Sequence, residues 1–327
     1  MSSRYSTDFL ELGKLGKGGF GTVFKCKNKL DEKEYAVKKI PFKDGPDGQT
    51  NREKVLREVL ALSTMDHCHV VRKAWIEDGC TVEQSSSEEE SSSEDSANAT
   101  LYIQMKFCPE TLHGLLESLR VSDTVLDSDR VWRLFRQLVE GVRYIHSAGF
   151  VHRDLTRSNI FFDENNNVQI GDFGLATFVP DMSSGVTVTG DDGNLLYMAP
   201  ELKMEDAQVS DKADMFSLGL VLCDLLFQFS TDSERAKIFA ILRRGGELPA
   251  VWEAPHPIVA ELLALTPSAR PSASQVLQRQ LPWKEVGLEY VHELEDTVRV
   301  LQTQVASATS EIEGLKKLVS QLPADDS

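Results

Sequence analysis

His152-Arg153-Asp154-Leu155-Thr156-Arg157-Ser158-Asn159, with Asp172-Phe173-Gly174 beginning thirteen residues after Asn159, decides how this chain is read. The two segments set an acid, an amide and a second acid at the spacing phosphoryl transfer requires. Asp154 is able to orient a hydroxyl and accept its proton, while Asn159 and Asp172 carry oxygen donors suited to the cations that neutralise a triphosphate. Any one of the three alone is more often a loop acid or a turn amide. The case rests on their joint spacing and on what lies to either side.

Upstream, Phe9 to Ile40 alternates apolar and polar residues around a glycine cluster, which predicts strands joined by tight turns. The cluster Gly16-Lys17-Gly18-Gly19-Phe20-Gly21-Thr22-Val23 lets backbone amides approach phosphate oxygens with no Cβ in the way. A dinucleotide-binding turn is the competing reading, but it needs a helix directly afterwards. Thr22 to Lys27 continues as strand, which favours a flap over a nucleotide. Lys38 follows Tyr35-Ala36-Val37 on the next strand. Arg52 to Met65 has helical spacing (Val55, Val59, Leu62), and Glu58 on that helix is a candidate partner for Lys38. Glu53 lies on the same helix, but the apolar neighbours of Glu58 turn it toward the core.

Downstream the pattern becomes helical: Val131 to Ala148, Asp211 to Phe229, Ser233 to Arg244, Pro257 to Leu265 and Ser272 to Gln280. Met215 to Phe229 is the most apolar stretch. It contains Asp224 and is too short to span a bilayer comfortably, so a buried helix is expected. Between the two regions, 81–100 breaks the pattern. Gln84 to Ser96 is acidic, low in complexity and free of apolar residues, so it cannot bury enough surface to offset its ordering entropy. An insertion between two strands of one sheet is expected there.

Of the 327 residues, 41% are hydrophobic and 26% charged, ordinary values for a globular protein. The net charge is −16, and the six acids from Glu83 to Asp95 supply part of it. Such a surface repels phosphate backbones, so no direct nucleic-acid binding is expected. The five cysteines are scattered, with no CxxC pair, which suggests neither a zinc site nor a disulfide framework and favours a reducing cytosol or nucleus; a cytoplasmic location is expected. The first ten residues lack an apolar signal core, and no membrane partner is expected.

The tail repeats apolar residues at Val291, Leu294, Val298, Leu301, Val305, Ala308, Ile312, Leu315, Val319 and Leu322. β-Branched residues hold one heptad position and leucines, with one alanine, the other. A period of about 3.5 residues sustained this long predicts a parallel two-stranded coiled coil, hence a homodimer, over a single helix folded back on its own domain. Glu311 and Lys316 fall where they would pair between chains.

By these residues the chain resembles eukaryotic protein kinases from about Phe9 to Trp283. The resemblance implies an α+β, bilobal fold with a small β-rich lobe (9–108, insertion at 81–100) and a larger α-helical lobe (109–283). Residues 1–8 would be an N-terminal extension and 284–327 a coiled-coil tail. It implies ATP and Mg2+ as cofactors, Lys38 and Glu58 as an ion pair, Asp154 as catalytic base, and Asn159 and Asp172 as magnesium ligands. The nucleotide would meet Leu15, the glycine turn from Gly16 to Gly21, Val23, Ala36, the gatekeeper Met105 and the hinge Lys106 to Cys108. Arg270 would pair with Glu201 of Ala199-Pro200-Glu201, and Asp214 would anchor the catalytic-loop backbone.

A narrower resemblance is to the kinases of the alpha subunit of eukaryotic initiation factor 2. It is carried by Tyr35-Ala36-Val37-Lys38-Lys39-Ile40, Leu101-Tyr102-Ile103-Gln104-Met105 after an acidic insertion, Asn159-Ile160-Phe161-Phe162, and Phe229-Ser230-Thr231-Asp232-Ser233-Glu234-Arg235. The tail brings it nearest the heme-regulated inhibitor branch, whose sensing region is not found in these residues. The resemblance implies substrate docking at Ser230, Thr231, Glu234 and Arg235, and activating phosphorylation at Thr189 or Thr187.

Two residues depart from the family pattern. Thr156 stands where a lysine would contact the γ-phosphate, and Asn194 where a threonine would bond that lysine and the base. Compensation is expected, with Asn194 bonding Asp154 and Arg157 supplying the missing charge. Two alternatives stay open: a serine/threonine kinase with another protein substrate, and a dimeric nucleotide-binding pseudokinase scaffold.

Overall fold

The computed structural model describes residues 4–18, 21–42, 65–71, 73–76, 99–179, 186–188, 195–203, 207–247, 249 and 257–283. The chain divides into two compact units, Met1–Leu281 and Pro282–Ser327, and every element below belongs to the first. Gly19, Phe20, Glu58, Thr189, Asn194, the insertion up to residue 98 and the heptad tail lie outside the described residues.

The alternating N-terminal segments form a five-stranded antiparallel sheet. Its strands are β1 (Phe9–Gly18), β2 (Gly21–Asn28), β3 (Glu34–Phe42), β4 (Lys73–Ile76) and β5 (Ala99–Lys106), in the order β1-β2-β3-β5-β4. β5 begins inside the stretch expected as insertion and pairs with both β3 and β4. Its register sets Ile103 opposite Lys38 and Met105 opposite Ala36, so the expected gatekeeper lies beside the strand that carries the cleft lysine. Gly21 serves packing as well as any ligand: a Cβ there would strike the Lys39 carbonyl oxygen.

A short helix, α1 (Arg4–Asp8), precedes the sheet. The stretch read as an extension is part of this lobe's core. Tyr5 is buried with Phe9, Cys26, Val37 and Tyr102, and its ring stacks on Tyr102 at 4.5 Å. A polar decapeptide hides this because a single aromatic ring does the packing.

The helical lobe follows. β6 (Glu110–Thr111) leads into α2 (Leu112–Val121), a helix that the sequence reading passed over. Its signal is a cap: the Thr111 hydroxyl accepts from the Gly114 N–H at 3.0 Å. α3 (Ser128–Ser147) begins where the Asp127 carboxylate accepts from the Arg130 N–H at 2.8 Å. Its apolar stripe includes Val131, Phe135, Leu138, Val142 and Ile145 at helical spacing, all buried. α4 (Asp211–Leu226) is buried at every residue from Ala213 to Leu225, as its composition predicts. It stops at Leu226, short of the expected Phe229. Phe227 is extended, the Gln228 amide donates to the Leu119 and Thr124 carbonyls, and Phe229 packs edge-on against Phe239. Those tertiary contacts outweigh an apolar run that would otherwise prolong the helix.

α5 (Asp232–Arg243), α6 (Pro257–Leu262) and α7 (Ala273–Leu277) complete the lobe, the last two shorter than their apolar patterns suggested. Thr231 caps α5, its hydroxyl accepting from the Glu234 N–H at 3.1 Å, while Glu234 reaches back to the Ser230 N–H at 2.8 Å. Thr231→Ala should cost about 1 kcal/mol of stability. The expected result is a lower urea midpoint with an unchanged denaturant slope. Among the described residues no helix is long and apolar enough to cross a membrane.

Candidate active site

A hairpin closes the gap between Asn159 and Asp172. β7 (Ile160–Phe162) and β8 (Val168–Ile170) pair antiparallel with Ile160 opposite Ile170. Asn159 precedes the first strand and Gly171-Asp172 follows the second, so both stand at the open end, where the Gly171 N–H donates to the Asn159 carbonyl at 3.0 Å. The Asn159 amide donates to the Asp154 carboxylate at 2.7 Å and to the Asp154 carbonyl at 2.9 Å. Acid, amide and second acid thus form one cluster.

The loop carrying Asp154 is held from below. The wholly buried Asp214 carboxylate on α4 accepts from the His152 and Arg153 N–H groups, both at 2.8 Å, and contacts His146 Nε2 at 2.8 Å. Burial alone would push this carboxyl up. Hydrogen bonding from His146, the charges of His146 and His152 and the backbone bond outweigh it and hold Asp214 below the usual carboxylate range. Arg153 and Asp172 both adopt positive φ, at 67° and 58°, conformations that residues with a Cβ rarely adopt. Asp214 fixes the first of them. For the second, Phe173 is fully buried with its ring 4.7 Å from that of His152, and His152 Nε2 bonds the Gly171 carbonyl at 3.0 Å.

Across the cleft, Lys38 Nζ is 3.2 Å from Asp172 Oδ1, with the lysine only 5% exposed. A cleft of about 440 Å³ opens here, within the range of ligand pockets. Of the residues expected to meet the nucleotide, Leu15, Gly16, Lys17, Val23, Ala36, Lys38, Met105, Lys106 and Cys108 line it, and so do Asn159 and Asp172. Gly18 and Gly21 form the last pair of the β1–β2 ladder, and Gly21 is not among the described residues that line the cleft. Phe107, within the expected hinge, lines it too, as do Val71, Thr111, Ser158, Phe161 and Gly171, which were not foreseen. Phe161 had a signal, since it alternates with the buried Ile160 and Phe162. Burial pushes the Cys108 thiol up to about 11, so it stays protonated near neutrality and is a poor metal ligand. Asn159 and Asp172 instead offer the hard oxygen donors that suit magnesium, which takes only one or two protein ligands beside phosphate and water.

Two expectations are corrected. Arg157 does not reach the cleft: its guanidinium pairs with Asp232 at 2.8 Å and with Glu117 at 3.5 Å, so its charge is already matched. Arg235, expected at a docking surface, is buried instead. It is 7% exposed, bonded to Asp232 at 3.2 Å and close to Tyr197 and Asp224. Ser230 and Thr231, just before α5, and Glu234, on its first turn, remain exposed. Thr187 lies on β9 (Val186–Val188), which pairs with β10 (Ala207–Val209). Arg153 donates to Thr177 Oγ1 at 3.2 Å. The expected Arg270–Glu201 pair forms, at 2.6 and 2.8 Å.

Asp224 supplies a pH test. Burial pushes its carboxyl up to about 6, against the Tyr197 hydrogen bond and the charges of Arg235 and Arg157. The folded state therefore holds a proton that the unfolded chain releases near pH 3.9. The stability this confers is complete below that value and is lost as pH rises through about 6. Asp214, Glu117 and Asp232, all shifted down, act in the opposite sense. The readout is therefore a difference: Asp224→Asn should gain urea stability relative to the parent chain between pH 4 and 7.

Comparison with known proteins agrees with this geometry. A family profile described as "Protein kinase domain" matches residues 9–282. The chain is 40% identical over 347 residues to "eIF-2-alpha kinase GCN2" of Arabidopsis thaliana, covering 94% of this chain and 27% of that protein. It is 36% identical over 291 residues to "Interferon-induced, double-stranded RNA-activated protein kinase" of Rattus norvegicus, covering 88% and 54%. It is 29% identical over 468 residues to "Eukaryotic translation initiation factor 2-alpha kinase 1" of Mus musculus, covering 99% and 74%. The chain thus spans about a quarter and about half the length of the first two. Matched across nearly its whole first unit, with Lys38, Asn159 and Asp172 lining one cleft and Asp154 bonded to Asn159, the chain belongs to the protein kinase family.

Proposed function

We propose that this chain is a serine/threonine kinase that transfers the γ-phosphate of ATP to the alpha subunit of eukaryotic initiation factor 2, lowering translation initiation under stress. The observation that carries the chemistry is the Asp154–Asn159 bond standing beside the Lys38–Asp172 pair. Lys38 would steady the α- and β-phosphates. Asn159 and Asp172 would hold magnesium, whose charge when bound offsets that of the triphosphate. Asp154 orients the attacking hydroxyl and takes its proton.

Neither Thr156, which is buried, nor Arg157, which is paired elsewhere, brings a cation to the γ-phosphate. Neutralisation then falls on Lys38 and the metal, and a low turnover is expected. That same missing cation favours the second reading, a scaffold that binds nucleotide without turnover. The substrate assignment is supported by the names of the relatives and by the exposed first turn of α5. The heptads of 291–322 support a homodimer that raises the local concentration of a second kinase domain for trans-phosphorylation at Thr189 or Thr187.

The test is phosphate incorporation from magnesium-ATP into the purified alpha subunit, with myelin basic protein as a second acceptor. Faster incorporation into the alpha subunit is expected. Incorporation into the second acceptor alone would move the substrate elsewhere, and none into either would favour the scaffold.

A further inference from the structure

A run of charges links the catalytic loop to α5, and nothing in the transfer chemistry uses it. Arg157 sits between Asp154 and Asn159 in sequence, yet it lines a separate cavity of about 60 Å³ between α2, the end of α4 and the start of α5. Its side chain is 10% exposed. One terminal nitrogen donates to Asp232 in the first turn of α5 at 2.8 Å, and the other lies 3.5 Å from Glu117 on α2. Its backbone carbonyl accepts from the His113 N–H at 2.8 Å.

The run continues. Arg235 shares Asp232 at 3.2 Å and lies 4.0 Å from the buried Asp224, to which the Tyr197 hydroxyl donates. Asp232 is held below the usual carboxylate range: burial opposes this, and the charges of Arg157 and Arg235 prevail. A planar guanidinium satisfies two carboxylates on two elements at once, which a lysine ammonium on a flexible stem does poorly.

We propose that Arg157 is a positioning residue that ties the catalytic loop to the first turn of α5, so that the order of the loop bearing Asp154 and Asn159 depends on the turn that a protein substrate would engage. The tie itself stands on the contacts of Arg157. Its link to substrate rests on the docking reading above.

The experiment is hydrogen exchange of the backbone amides of 153–159 in the full chain, with kcat and KM measured alongside. Asp232 is exposed, so Asp232→Asn leaves the core intact while cutting the tie from its far end. Asp232→Asn and Arg157→Met should each speed loop exchange about threefold to tenfold, and the double variant should be no faster than either single one. Arg157→Lys should fall between. On the alpha subunit kcat should drop while the KM for ATP holds. Loop exchange at the parent rate in Asp232→Asn, or additive effects in the double variant, would overturn the proposal. If the parent chain does not phosphorylate the alpha subunit, the substrate reading fails, and the exchange measurement still decides the tie.

Discussion

Asp154→Asn should slow phosphoryl transfer by about 10²- to 10⁴-fold, the usual contribution of a general base. The change is nearly isosteric. The side-chain oxygen that accepts from Asn159 at 2.7 Å is retained in an asparagine, so the loop keeps its shape. What disappears is the carboxylate that, in the proposed function, takes the proton from the attacking hydroxyl. Asp154 is not among the residues lining the nucleotide cleft, so ATP affinity should stay within a few-fold of the parent. Initial rates at saturating ATP, set beside a nucleotide-binding isotherm, separate the two effects. Loss of binding together with rate would indicate a collapsed loop in place of a missing base.

Arg270→Met should cost about 3–5 kcal/mol, the range for removing one partner of a buried ion pair. The Arg270 side chain is fully buried, and Glu201 is 17% exposed. The guanidinium donates to both Glu201 oxygens and to the carbonyls of Ala264, Lys212 and Leu265, and it lies over the Phe216 ring at 4.9 Å. Methionine fills much of the volume but leaves a carboxylate and three carbonyls short of a donor, and that asymmetry sets the cost. Glu201→Gln in the Arg270→Met background should recover part of it, because the stranded charge is gone. Arg270→Lys should rescue poorly, since three donors on a flexible stem cannot replace five in a fixed fork. Urea unfolding checks all three. Activity should fall as well, because Glu201 closes the segment that runs from Asp172.

What the sequence disclosed, and what it withheld, follows from the range of each interaction. Asp154, Asn159 and Asp172 are close in the chain and joined by one short hairpin, so their spacing alone nearly specifies their meeting. The sheet was legible from alternation, and α4 from an unbroken apolar composition that only a buried helix explains. Arg157 was misread because a guanidinium goes where carboxylates are. Its main partner, Asp232, lies 75 residues away on an element whose placement no local pattern encodes. Lys38 and Asp172 are 134 residues apart, and only the register of β3 against β5 brings the lysine to the cleft. Tyr5 and the early end of α4 share this cause: single tertiary contacts overrode a local pattern.

The corrected place of Arg157 sharpens the question raised by Thr156. The loop has not exchanged one cation for another. It has committed its arginine to α5, and in the proposed function the γ-phosphate is left, among the described residues, to Lys38 beside the metal. The most direct measurement is the initial rate of phosphate transfer from magnesium-ATP to the alpha subunit of initiation factor 2, parent chain and Asp154→Asn side by side. The account predicts slow but clear incorporation by the parent and a rate at least about 100-fold lower in the variant. Equal rates in the two, or no incorporation by the parent under conditions where it binds ATP, would contradict it.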